Sequence, residues 1–88
     1  MTLFEARDEI DKIDNEILHL LLKRLEISEF IGSIKKKANM SAVDKAREEE
    51  IFNNLKVSSK DKYEHIEPIF TEILRVSKDI QKKKISQI

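Results

Sequence analysis

LFEARDEIDKIDNEILHLLLKRLEISEFIGSIKKK, residues 3–37, runs without a proline and with a single glycine, Gly32. Written in heptads, its a/d stripe reads Leu3, Ala6, Ile10, Ile13, Ile17, Leu20, then Arg24, then Ile27, Ile31 and Ile34. The spacing predicts one continuous helix, about 52 Å long at 1.5 Å per residue. Its middle, Ile17-Leu18-His19-Leu20-Leu21-Leu22, is apolar on nearly every side and predicts burial all round. A compact chain of this length has a radius of gyration of about 12 Å. The helix overshoots its own domain. Its surplus must pack against another chain, for which a two-fold dimer is the default solution.

Arg24 stands on that stripe where an apolar residue belongs. A guanidinium stays charged, so it needs an anionic partner or a route to water. Ser28 lies one turn on, and Lys35, further along, returns to nearly the same face at about 100° per residue. Two cations about 16 Å apart on one helix face, with long side chains, can bracket a small polyanion. An arginine paired with a partner helix is the plainer alternative. Gly32 costs about 1 kcal/mol against alanine inside a helix; it leaves room either for a ligand or for close helix packing.

Seventeen basic residues balance seventeen acidic ones in 88, so the chain is neutral although 39% of it is charged. Neutrality argues against nucleic acid or a membrane surface as the main partner. The absence of cysteine excludes disulfides, thiol chemistry and thiolate metal sites. His19 and His65 are isolated, so neither a metal nor an acid–base role is expected of them. MTLFEARDEI lacks the pattern of a signal peptide, and no apolar run approaches a membrane span. A soluble, cytoplasmic protein is expected. Length predicts one domain over 1–88, without room for a regulatory or fused enzymatic domain. With one glycine, one proline and few aromatics, the class is all-α.

Two further helices are expected. Ala38 to Val43 is a polar connection, and Asp44 suits the N-cap of a helix over about 45–55, with Glu48, Glu49 and Glu50 near its positive end. Val57-Ser58-Ser59-Lys60 reads as a break. Asp61 and Glu64 fit an N-cap and N3 pair for a helix over about 62–85. Its apolar positions Ile66, Ile69, Phe70, Ile73, Leu74, Val76 and Ile80 fit a 3.6 period, and Pro68 predicts a kink or a later start. Lys82, Lys83 and Lys84 suit a solvated C-terminal end.

The third helix repeats the oddity of the first. Ser77 falls on the core face and Gln81 follows one turn later. They are either satisfied packing residues or, beside Arg24 and Lys35, part of a shared polar pocket. Asp44, Arg47 and Glu48 lie within one turn of each other, as a surface cap with an ion pair also would.

Taken together, these residues resemble the all-helical chorismate mutases. The first helix carries an arginine (Arg7), Ile10-Asp11-Lys12-Ile13-Asp14, Leu21-Leu22-Lys23-Arg24 and Ile31-Gly32-Ser33-Ile34-Lys35. VDKAREEEIF (43–52) is similar to the family's Asp-x-x-Arg-Glu segment, and EPIFTEILRVSKDIQ (67–81) to its Ser-x-x-x-Gln ending. The resemblance implies an intertwined homodimer of three-helix chains that rearranges chorismate to prephenate, on the path to phenylalanine and tyrosine, without cofactor or metal. It implies that Arg24 and Arg7 bind the substrate carboxylates, assisted by Arg47 and Ser77. Lys35 and Gln81 would donate to the ether oxygen, and Glu48 would accept from the ring hydroxyl, helped by the backbone N–H of Asp44. Arg7 precedes Arg24 by about 25 Å along the helix, and in the family the equivalent arginine comes from the other subunit.

Two other functions fit the same residues. One is an isochorismate pyruvate lyase on a similar scaffold. The other is a non-enzymatic dimerisation module whose inward polar residues fix register. Feedback control would require a partner enzyme, on which the residues are silent.

Overall fold

The computed structural model describes residues 1–87. Helix α1 spans Leu3–Lys37, α2 spans Lys45–Ser59 and α3 spans Tyr63–Ser86, with one 3-10 turn at Lys60–Lys62. The chain is all-α, with no strand among the described residues.

Local chemistry accounts for most of the boundaries. Thr2 and Glu5 form a reciprocal cap at the start of α1: Glu5 N–H donates to Thr2 Oγ1 at 3.1 Å and Thr2 N–H to Glu5 Oε1 at 3.2 Å. At its other end Ala38 N–H returns to Ile34 O and Met40 N–H to Lys35 O. Asn39 takes the positive φ that this reversal needs, 56°, a conformation asparagine accepts more readily than most residues. Asp44 caps α2 as expected, its Oδ1 accepting from Arg47 N–H at 3.0 Å.

Two boundaries differ from the sequence reading. The break expected at Val57-Ser58-Ser59 is helical, and α2 runs to Ser59. Valine and serine carry only modest helix penalties, so nothing there forces a stop. The chain turns instead at Lys60, with φ 56°. Asp61 does not cap α3: the residue before that helix is Lys62, and no side chain caps it. The 3-10 turn leads straight into α3, a common device at helix starts. Pro68 lies inside α3, which begins at Tyr63, so the later start is excluded. The carbonyl left without a proline N–H belongs to Glu64, an exposed residue in the first turn of the helix.

The packing is lopsided. Ser28 touches Ser77 and Lys35 touches Gln81, so contacts climb both helices together and α1 and α3 run parallel. Helix α2 returns antiparallel to α3, tied to it by Lys78 and Glu48. No close backbone contact joins α1 to α2, and the gap between them is a cleft. Gly32 sets the spacing of α1 and α3. A Cβ placed there would lie 2.7 Å from Lys84 Cβ and 3.1 Å from Gln81 Cα, so this glycine serves close helix packing.

The molecule measures 54 × 26 × 14 Å with a radius of gyration of 16.2 Å, against the roughly 12 Å of a compact chain. Burial of Ile17 to Leu22 all round does not occur within one chain: Leu20 is 64% exposed and Leu22 54%. Helix α3 covers one side of α1, and among the described residues nothing packs against the others. Ala42 and Leu74 are the only buried hydrophobic residues among those described, while Ser28, Ser77 and Gln81 are buried polar ones.

Candidate active site

The cleft between the helices has a volume of about 360 Å³. Arg24 and Lys35 reach it from α1, Asp44, Arg47 and Glu48 from the start of α2, and Ser77 and Gln81 from α3. Arg7 alone of the expected residues stays away. It is exposed on the first turns of α1, and the unbroken helix holds it about 25 Å from Arg24.

Charge inside the cleft is unbalanced. Arg24, Lys35, Arg47 and Lys78 face two carboxylates, Asp44 and Glu48. Both carboxylates are already engaged, Asp44 with the start of α2 and Glu48 with Lys78 Nζ at 2.8 Å. Arg47 pairs with exposed Glu50. Among the described residues no carboxylate pairs with Arg24 or Lys35. The plainer reading of Arg24, an ion pair with a neighbouring helix, is therefore not realised within the chain. Two uncompensated cations in a part-apolar cleft, walled by Ile27, Ile31, Ile51 and Leu74, favour a small anion.

The floor of the cleft is a hydrogen-bond network. Lys35 Nζ donates to Gln81 Oε1 at 2.9 Å and to Ala42 O at 3.1 Å. An ammonium has three donors and no acceptor, so one N–H is left for a ligand. It also fixes the Gln81 carboxamide, because only the oxygen can face Lys35. The Gln81 NH₂ then lies on the other side, 3.5 Å from Ser77 Oγ. Ser77 and Ser28 hydroxyls meet at 2.6 Å. Among the described residues, no buried side-chain polar atom lacks a partner.

Displaced ionisation lies away from the cleft. The hydrogen bond from Arg75 holds Glu72 below the usual carboxylate range, and Glu72 in turn raises Arg75. Desolvation, with Glu67 beside it, raises Tyr63.

Lys78, Ser28 and the Ala42 carbonyl are members that sequence reading did not assign to the site. Lys78 hides among seventeen basic residues, and its place one residue after Ser77 does not put it on the same helix face. Ser28 sits one turn after Arg24, and its residue type alone gives it no role. A backbone carbonyl in a connecting loop leaves no mark in residue types.

An all-α scaffold with a cationic cleft and fixed donors defines a protein built to hold a small anionic ligand. Comparison with known proteins narrows that class. The chorismate mutase type II family model matches residues 6–82, and the chain belongs to that family. It is 39% identical over 87 residues to a bifunctional chorismate mutase/prephenate dehydratase of Aquifex aeolicus (strain VF5). That alignment takes in 92% of this chain but 24% of the relative's length. A conserved hypothetical protein from Pyrococcus furiosus shares the fold with a TM-score of 0.76 and 48% identity, over 92% of this chain and 96% of that one.

Proposed function

We propose that this chain, as one domain over residues 1–88, catalyses the rearrangement of chorismate to prephenate as a cytoplasmic biosynthetic isomerase working in a homodimer. One observation supports this reading above the rest. Lys35 and Gln81, hydrogen-bonded to each other, stand at the floor of the one cleft where Arg24, Asp44, Arg47, Glu48 and Ser77 also meet. Family membership supports it independently.

The reaction is pericyclic, so nothing attacks covalently and no proton must move. The site's work is to confine a flexible dianion in its reactive conformer and to stabilise charge on the ether oxygen as the C–O bond breaks. In this reading Arg24 binds one carboxylate and Arg7 of a second copy binds the other. Arg47 leaves Glu50 to assist, together with Ser77. The free N–H of Lys35 and the NH₂ of Gln81 donate to the ether oxygen, each worth roughly 3–4 kcal/mol in a dry site. Glu48, its other oxygen held by Lys78, accepts from the ring hydroxyl, with the Asp44 N–H beside it.

The test is to incubate the protein with chorismate and separately with isochorismate, following ultraviolet loss and products. Prephenate from chorismate is expected. Salicylate and pyruvate from isochorismate alone would make it a lyase, and no turnover of either would make it a dimerisation module.

A further inference from the structure

Five groups at the base of the cleft form a chain whose hydrogen bonds all run one way. Lys35 can only donate, and it donates to Gln81 Oε1. That leaves the Gln81 NH₂ to face Ser77 Oγ. At the far end, Ser28 Oγ lies 2.9 Å from the Arg24 carbonyl oxygen. A carbonyl only accepts, so the single Ser28 proton sits on that bond. The 2.6 Å contact between the two hydroxyls must then be carried by the proton of Ser77. Ser77 therefore turns a lone pair, not its hydrogen, towards Gln81. The order is Lys35 to Gln81 to Ser77 to Ser28 to the Arg24 carbonyl.

We propose that Ser28 is a positioning residue that sets the direction of this chain and so holds the Gln81 NH₂ aimed at the reacting ether oxygen. This rests on the mutase reading. Ser28 touches no substrate in it; at 2% exposure it is more deeply buried than Ser77 or Gln81, and it acts through both. Its backbone anchor matters. Without the fixed bond to Arg24 the Ser77 proton is free to turn towards Gln81, two donors then face each other, and the carboxamide, still held at its oxygen by Lys35, loses the contact that fixes its NH₂ end.

The experiment has an arm that does not need turnover. In the wild-type protein the Gln81 side-chain NH₂ should give two sharp, dispersed signals in an amide NMR spectrum. Ser28→Ala should move them towards the values of a freely rotating glutamine, and Ser77→Ala, which removes the middle link, should do the same. The second variant serves if the first fails to fold. In the chorismate assay, Ser28→Ala should lower kcat about fivefold to tenfold, the scale of one lost hydrogen bond, with KM nearly unchanged. In a Gln81→Ala background the same change should lower kcat no further. Unmoved Gln81 signals in folded Ser28→Ala, or an equal fall in kcat in both backgrounds, would overturn the positioning role. Wild-type protein that does not turn over chorismate would overturn the mutase reading instead, and the NMR arm would still decide the role of Ser28.

Discussion

Lys35 uses two of its three N–H bonds to hold Gln81 and the Ala42 carbonyl, and the third is the donor that the proposed reaction would use. Removing the side chain deletes that donor and frees the Gln81 carboxamide at the same time. Lys35→Ala should therefore lower kcat by two or more orders of magnitude while the helical circular dichroism is retained. Near-normal turnover in the folded variant would reject the assignment. Gln81 offers a sharper probe, because its charge can be changed without changing its shape. In Gln81→Glu the new carboxyl would lie beside Lys35, whose charge favours the ionised form, and an ionised carboxylate cannot donate. Activity in that variant should rise as pH falls and the acid regains its proton, whereas wild-type kcat should be level through neutral pH. An unchanged profile would mean that residue 81 does not face the ether oxygen. At this scale the sequence was informative wherever a polar side chain broke an apolar period, as Arg24, Ser77 and Gln81 do. It was silent on Lys78 and the Ala42 carbonyl, because only folding brings α2, α3 and the loop before α2 together.

The helices meet where side chains are smallest. Gly32 lets α1 approach Gln81 and Lys84 so closely that even a methyl group intrudes. Alanine ordinarily strengthens a helix by about 1 kcal/mol over glycine. Here it must push α3 away, because the atom it meets most closely, Lys84 Cβ at 2.7 Å, is fixed to the α3 backbone and cannot swing aside. Gly32→Ala should lower the melting temperature despite its better helix propensity, and should reduce kcat by shifting the Gln81 backbone. A gain in stability with unchanged kcat would contradict this account of the contact. The extent of α1, about 3–37, was legible in its periodicity, and Asp44 was legible as a cap. The end of α2 and the start of α3 were not. Val57, Ser58 and Ser59 tolerate a helix as well as a loop, and the 3-10 turn at Lys60–Lys62 replaces the side-chain cap that Asp61 was expected to supply.

On the scale of the whole molecule, one chain leaves its longest helix largely uncovered, and its Arg7 lies outside the cleft. Ile10, Ile13, Ile17, Leu20, Ile27 and Ile34 are all exposed along α1, a surface that calls for a partner helix. In the proposed dimer a second copy buries that stripe and brings its Arg7 to the cleft that its own α1 cannot reach. The mismatch between a helix of about 52 Å and so short a chain was legible in the sequence. The geometry of the second copy was not, since residue patterns report what must be covered and not by which route. The shared site is the central claim, and mixed dimers test it directly. Arg7→Ala and Lys35→Ala should each be nearly inactive as homodimers. Unfolded together and refolded as an equal mixture, about half of the dimers should pair one variant with the other. In such a dimer the Arg7→Ala chain keeps its own Lys35 and receives an intact Arg7, so one of its two sites is whole. The mixture should recover about a quarter of wild-type activity. If mixed dimers are present by mass and no activity returns, Arg7 does not cross between chains and the shared site is wrong.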